Sequence, residues 1–132
     1  MKRRALVHAL CALAMIALGL VCRWPAAGLP PALAKYAGSA IWGAMVYWVV
    51  ALLLQRCSVA VTALVAAAIA VATEVSQLVH FPWLGAFRRT TIGVLLIGRY
   101  FAFGDIAAYL AGIAAAAVVD ARVIRPRPCG PD

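Results

Sequence analysis

Residues 58–79 read SVAVTALVAAAIAVATEVSQLV, an apolar stretch whose one charged residue is Glu74. A helix needs about 20 apolar residues to cross the hydrocarbon core of a bilayer. This stretch therefore predicts a transmembrane helix that carries Glu74 and Gln77 near its end.

Three more apolar runs of similar length lie on either side of this stretch. They span residues 5–22, 37–54 and 101–119. Prolines and a glycine in the first loop, at positions 25, 28, 30 and 31, block helix continuation there. The sequence predicts an all-α fold with one domain over residues 1–132, in which four transmembrane helices form a polytopic bundle and residues 120–132 form a polar tail.

Composition supports a membrane environment and excludes an ordinary soluble domain. The chain is 67% hydrophobic and 12% charged, with a mean hydropathy of +0.99, whereas soluble domains are about 25% charged. The net charge of +8 would suggest nucleic acid in a soluble protein. Here the basic residues lie mostly between apolar runs, so we expect membrane lipids as partners and no nucleic acid.

The basic residues also predict the orientation. Lys2-Arg3-Arg4 resembles the start of a signal peptide, but Arg23-Trp24-Pro25 interrupts the expected cleavage site, which favours a retained signal anchor. Four spans place both termini on one side, where seven basic residues are expected: Lys2, Arg3, Arg4, Arg56, Arg122, Arg125 and Arg127. The other side has five: Arg23, Lys35, Arg88, Arg89 and Arg99. This bias predicts cytoplasmic termini.

The segment between the third and fourth spans has its own pattern. Phe81-Pro82-Trp83 is expected to end the third helix, and residues 92–97 are apolar but too short to span a bilayer. We expect a short interfacial or re-entrant piece here, because uncovered irregular backbone is not tolerated in lipid.

Glu74 and Asp105 are the two acids expected at membrane depth, and both lie toward the same side of the bilayer. Intramembrane acids are costly and often functional, and arginine forms paired hydrogen bonds with carboxylate or phosphate. The candidate ligand-binding cluster is Glu74, Gln77, Arg88, Arg89, Asp105 and Tyr109. The same residues could serve only to hold helices in register. His80 and Arg99 are weaker candidates, and His8 is assigned no role.

Other kinds of site lack support. The two histidines are too isolated to bind a metal, and no nucleophile motif or phosphate-binding glycine loop occurs. No cofactor and no metal are therefore predicted. A row of small residues, Ala108, Gly112 and Ala116, allows another helix to approach closely and is a candidate contact for a helical partner.

Four short patterns follow one another in the second half of the chain. They are Glu74-Val75-Ser76-Gln77, Arg88-x-Thr90-x-x-Gly93, Gly98-x-x-Phe101 and Asp105-x-x-x-Tyr109-x-x-Gly112. This series resembles the E-x-x-Q, R-x-T-x-x-G, G-x-x-F and D-x-x-x-Y-x-x-G patterns of an uncharacterised bacterial membrane family catalogued as domain of unknown function 2809. The resemblance extends over roughly residues 36–115.

The resemblance has one departure and one looser extension. Residues 36–42 resemble the family's second-helix motif, but Ser39 stands where the family often has an aspartate, which argues against a three-carboxylate mechanism. The order of a glutamate–glutamine helix, an arginine loop and an aspartate helix is also similar to the VanZ-like group, which is linked to glycopeptide-antibiotic resistance. These resemblances imply a helical protein of the bacterial cytoplasmic membrane and no established activity.

Three functional hypotheses follow. The first is a non-enzymatic envelope component that binds an anionic lipid headgroup or lipid-linked precursor through Arg88 and Arg89, which Glu74 and Asp105 hold in place. The second is a membrane enzyme in which Glu74 or Asp105 acts as acid or base on a lipid-linked substrate. The third is a structural subunit of a membrane complex. The sequence leaves open whether the chain is an enzyme.

Overall fold

The computed structural model describes residues 2–78, 82–96 and 103–125, and within these ranges the ordered elements are all helical. The α-helices are α1 Lys2–Cys22, α2 Pro31–Leu53, α3 Val59–Ser76, α4 Pro82–Arg88, α5 Thr91–Leu96 and α6 Phe103–Val119. A 3-10 turn, Pro25–Ala27, precedes α2, and a π-helical turn, Asp120–Ile124, extends α6. The predicted all-α fold is confirmed.

Helices α1, α2, α3 and α6 with its π-helical turn are long and apolar enough to cross a membrane, which makes four such helices in the described residues. Their outer faces are apolar. Leu6, Leu10 and Leu13 of α1, for example, are each more than half exposed. Exposed leucines in such a row fit a hydrocarbon surrounding rather than water. The four helices indicate a multi-pass membrane protein.

Helix α2 begins six residues before the predicted residue 37. Pro31, which was expected to block a helix, occupies its first turn. Proline is favoured there, because its missing N–H would have no partner inside the helix and its φ angle already suits a helix. As a result, Lys35 and Tyr36 lie on α2 rather than in a loop.

The other helix ends differ from the predicted bounds by smaller amounts. Helix α1 begins at Lys2, ahead of residue 5, and α3 ends at Ser76, ahead of residue 79. The Ser58 side chain accepts a hydrogen bond from Val61 N at 3.3 Å and caps the start of α3. The predicted polar tail from residue 120 is wrong at its start, because Asp120–Ile124 continues the helix. The predicted start of the last span at residue 101 lies outside the described residues.

Two short helices occupy the segment after the third span. Residues 92–97 were predicted as a short piece, and α5 covers Thr91–Leu96 while Ile97 lies outside the described residues. Helix α4 was not predicted, because Pro82 was read as a terminator and not as a first helical residue. Trp83 of α4 and Ile92 of α5 are exposed, as expected for helices in contact with a membrane interface.

Helix α2 is the centre of the bundle. It packs against α1, α3 and α6, and α6 also packs against α3. Helices α1 and α3 run antiparallel to α2, whereas α6 runs parallel to it. We call the end where α1 begins and α6 finishes the terminal end, and the opposite end, where α1 finishes and α6 begins, the loop end.

Helices α2 and α6 meet through two glycines. A methyl group at Gly43 would overlap the backbone of Tyr109, and one at Gly112 would overlap the carbonyl of Ala40. Association of helices in lipid depends on close packing of this kind. At Gly112, the small-residue row of α6 therefore packs against α2 of the same chain. Ala116 is buried in the same core, and docking of a separate helix at this row stays a prediction.

We predict that Gly112→Ala destabilises the protein by about 1–3 kcal/mol, because the added methyl meets the backbone of α2. Gly85→Ala is the matched control, since a methyl there meets no atom of the described residues within 4 Å. Both changes improve helix propensity by about 1 kcal/mol. The difference in unfolding free energy between the two variants therefore measures the contact between Gly112 and α2. Unfolding in mixed micelles with increasing SDS measures it. A Gly112→Ala variant as stable as Gly85→Ala would contradict the contact.

Candidate functional site

A polar cavity of about 540 Å³ opens at the loop end of the bundle. All four spanning helices and the loop between α1 and α2 contribute to its wall. The residues that line it are Cys22, Arg23, Trp24, Pro25, Leu29, Pro31, Ala34, Lys35, Ser39, Glu74, Gln77, Asp105 and Tyr109. Four of the six predicted cluster residues are among them: Glu74, Gln77, Asp105 and Tyr109.

Glu74 lies at the inner wall of the cavity and is fully buried, with 0% exposure. Its Oε1 accepts a hydrogen bond from the Tyr109 hydroxyl at 2.6 Å and one from Gln77 Nε2 at 3.2 Å. The contact with Tyr109 joins α3 to α6 at the level of the cavity.

Asp105 lies in the first turn of α6 and is 7% exposed. Its Oδ1 accepts from Ser39 Oγ at 3.1 Å, and its Oδ2 lies 3.8 Å from Lys35 Nζ. Lys35 and Ser39 are four residues apart, so both project from one face of α2. They reach Asp105 together because α2 begins at Pro31. The predicted arginine partners are thus replaced at Asp105 by a lysine and a serine that sequence reasoning did not select.

Two cations line the cavity together with the two acids. Lys35 is half-exposed, with 52% of its side chain accessible, and its contact with Asp105 is a long one. Arg23 stands just beyond the end of α1, is exposed, and makes no ion pair with any residue that the structure describes. Both basic residues had been assigned only to membrane flanks by the sequence.

The two predicted arginines lie on α4 and just after it, and neither is among the residues that line the cavity. Arg88 is buried and its guanidinium donates to the carbonyl of Ser76, at the last residue of α3. Arg89 is exposed. Arg88 therefore acts on the end of α3, where a cation also meets the negative end of the helix dipole.

The Arg88-x-Thr90-x-x-Gly93 pattern builds the corner between α4 and α5. Thr90 Oγ1 donates to the Phe87 carbonyl at 2.7 Å and accepts from Gly93 N at 3.0 Å, which caps the start of α5. A side chain at position 93 would overlap the Phe87 carbonyl, so glycine is required. The threonine and glycine of the pattern are explained by structure. His80 and Arg99, the two weaker candidates, lie outside the described residues.

A second polar cluster, absent from the sequence predictions, lies at the terminal end around Asp120. Asp120 is fully buried and lies in the candidate span Phe103–Ile124, so this helix carries a second acid besides Asp105. Its Oδ1 lies 3.2 Å from His8 Nε2, and its Oδ2 accepts from the Tyr47 hydroxyl at 2.6 Å and from Arg125 Nε at 2.9 Å. Four side chains from α1, α2 and the α6 extension therefore converge on one point.

Further hydrogen bonds close this second cluster. Gln55 Nε2 lies 2.7 Å from His8 Nδ1 and also donates to the Ala51 carbonyl, so Gln55 links His8 to the last turn of α2. Arg125 Nη1 donates to the Cys57 carbonyl at 2.8 Å. The hydrogen bond to Asp120 raises the pKa of Arg125 above its ordinary value, so its guanidinium stays charged.

The two clusters differ in what they can do. The Asp120 cluster does not line the loop-end cavity, and its hydrogen bonds join α1, α2 and the extension of α6, which favours an architectural role. The spacing of residues in the sequence could have indicated that Asp120 is buried. Asp105 and Asp120 share the buried face of α6 with Tyr109, Gly112 and Ala116. Within the described ranges, no group of three His, Cys, Asp or Glu side chains is placed to hold a metal ion. The loop-end cavity is the candidate site.

The comparison with known families agrees with the resemblance seen in the sequence. The family model described as protein of unknown function (DUF2809) matches residues 28–113, and the chain belongs to this family. The matched region includes the cavity residues of α2, α3 and α6 but not Arg23 or Asp120. No solved structure matches the chain.

We predict that Asp120→Asn destabilises the protein by about 3–5 kcal/mol, because Arg125 would lose the partner of a buried ion pair. Asp105→Asn is the matched control. Its cation, Lys35, is half-exposed and can be hydrated instead, so we expect a loss of no more than about 1 kcal/mol. Unfolding in SDS mixed micelles compares the two, and equal losses would contradict the architectural role of the Asp120 cluster.

Proposed function

We propose that this member of the DUF2809 family is a non-enzymatic membrane protein that binds an anionic lipid headgroup or lipid-linked precursor in the loop-end cavity. The observation that carries the proposal is the position of Arg23. It lines the cavity, is exposed, and has no ion-pair partner among the described residues. Lys35 supplies a second cation at the same cavity, where Asp105 is its ion-pair partner.

The chemistry of these two side chains favours a phosphate group. A guanidinium donates paired hydrogen bonds that match phosphate oxygens, and a lysine ammonium adds a compact charge. Helix α6 begins beside the cavity with Asp105 in its first turn, so its positive dipole end also faces this region. The volume of about 540 Å³ lies within the range of small-molecule sites.

The acids hold the site in shape rather than bind the anion. Asp105 restrains Lys35 at the wall of the cavity, and Glu74 is engaged by Tyr109 and Gln77. Ser39 and Gln77 add polar groups suited to headgroup hydroxyls. The proposed ligand class is the one predicted from the sequence. The proposed anion contacts are Arg23 and Lys35, in place of the predicted Arg88 and Arg89.

The depth of the cavity also supports a lipid headgroup. Trp24 lines the cavity and is 67% exposed, and Trp83 of α4 is 69% exposed. Tryptophan is enriched at the boundary between hydrocarbon and headgroups. A cavity at this level would meet headgroups directly from the membrane plane.

The orientation is part of the same proposal. Seven of the 12 basic residues are assigned to the side of the termini, and cytoplasmic loops carry an excess of lysine and arginine. Both termini would then be cytoplasmic, and the cavity would open on the outer face of a bacterial cytoplasmic membrane.

One observation favours a second candidate, a membrane enzyme acting on a lipid-linked substrate. Both carboxylates, Glu74 and Asp105, line the same cavity, as a general acid and base would need to do. This candidate predicts turnover of a lipid-linked substrate by purified protein, with loss of turnover and retained folding in Asp105→Asn. Turnover that survives in Asp105→Asn would exclude Asp105 from the reaction.

We predict that Arg23→Gln and Lys35→Gln each weaken the binding of phosphatidylglycerol about tenfold or more, because each removes a charge-assisted hydrogen bond. Microscale thermophoresis with a fluorescent phosphatidylglycerol in detergent measures the affinity. Arg89→Gln is the matched control, since Arg89 is exposed and does not line the cavity. Affinity that falls in Arg89→Gln but not in Arg23→Gln would overturn the proposed site.

A further inference from the structure

An apolar groove of about 140 Å³ lies between α1 and α2, next to the polar cavity. The residues that line it are Met15, Ile16, Gly19, Leu20, Arg23, Gly38, Trp42 and Met45. Arg23 lines both the groove and the cavity, so the two are neighbours across one side chain. The polar cavity, with its two cations, thus adjoins a groove whose lining is apolar apart from Arg23.

The groove faces the membrane. Ile16 and Leu20 on its α1 wall are 41% and 50% exposed, toward the surface that lipid covers. On the α2 wall, Gly38 contributes no side chain, and the nearest atom to a methyl placed there would be Arg23 Nε at 3.9 Å. The missing side chain at Gly38 therefore leaves space directly beside the guanidinium.

Trp42 connects the groove to the buried part of the site. Its ring lies 4.8 Å from the ring of Tyr109, centroid to centroid, and Tyr109 donates to Glu74. The indole N–H of Trp42 is buried and has no hydrogen-bond acceptor in the part of the chain that the structure describes. Buried donors are normally satisfied. This N–H is therefore a polar group beside the groove whose acceptor the described residues do not supply.

We propose that the groove holds an acyl chain of the same molecule whose phosphate binds Arg23 and Lys35, so that the ligand is a lipid rather than a soluble anion. This inference rests on the proposed function and adds the ligand's hydrophobic part to it. An apolar cavity of about 150 Å³ holds a benzene molecule, so the groove accommodates about six carbons of a chain. Bulk lipid is as apolar as the groove, so packing of the chain against the groove wall has to supply the preference.

Two groove-filling variants test the inference by native mass spectrometry of protein incubated with phosphatidylglycerol. Gly38→Leu fills the groove beside Arg23, and Ile16→Trp fills it from α1, at a distance from the headgroup cavity. Gly85→Leu is the matched control, because a Cβ at position 85 meets no other described residue within 4 Å and Gly85 does not line the groove. We expect the retained lipid to fall at least tenfold in both filled variants and to stay at the wild-type level in Gly85→Leu.

The same proteins are then titrated with glycerol phosphate, which carries the phosphate without a chain. We expect weak binding that is equal in wild type and Ile16→Trp and is lost in Arg23→Gln. Full lipid retention in a folded Ile16→Trp, shown by an unchanged melt, would overturn the groove while leaving the headgroup site intact. Lipid and glycerol phosphate binding that both survive Arg23→Gln would instead overturn the proposed function itself.

Discussion

The backbone contact between α2 and α6 determines where the polar side chains of this protein lie. Gly43 and Gly112 let the two helices approach until the backbone of one touches the other. Lipid supplies no hydrophobic force to bring helices together, so packing of this kind has to hold the bundle. Because α2 and α6 run parallel, Asp105 meets Ser39 at the loop end and Asp120 meets Tyr47 at the terminal end.

The buried face of α6 therefore carries an acid near each end, about 22 Å apart along the helix at 1.5 Å per residue. The two acids are treated differently. Asp120 has no exposure and is enclosed by His8, Tyr47 and Arg125, so its carboxylate is closed to a ligand. Asp105 has a long contact with a half-exposed lysine beside an open cavity. The acid at the terminal end is thus enclosed by protein, whereas the acid at the loop end borders a cavity. This difference favours the loop end as the place where a ligand binds.

The four long apolar helices could be predicted from the sequence, because they follow from length and hydropathy. The spacing of Asp105 and Tyr109 places both on one face of α6, so a contact between Tyr109 and the acid of α3, Glu74, could also be expected. Lys35 was missed because Pro31 was read as a barrier instead of a first helical residue. His8 and Asp120 were missed because hydropathy does not report which residues, 112 positions apart in the chain, meet across helices. Arg88 was selected for its charge, but the structure directs its guanidinium to the end of α3.

The most direct test of the central claim is to map where an anionic headgroup contacts the protein. A phosphatidylglycerol analogue with a photoreactive diazirine on its headgroup would be reconstituted with the wild-type protein, irradiated, and its adducts located by mass spectrometry. We expect adducts concentrated on the cavity residues at positions 22–25 and 29–39. Adducts concentrated on α4 and α5, or spread equally over the loop end and the terminal end, would contradict it.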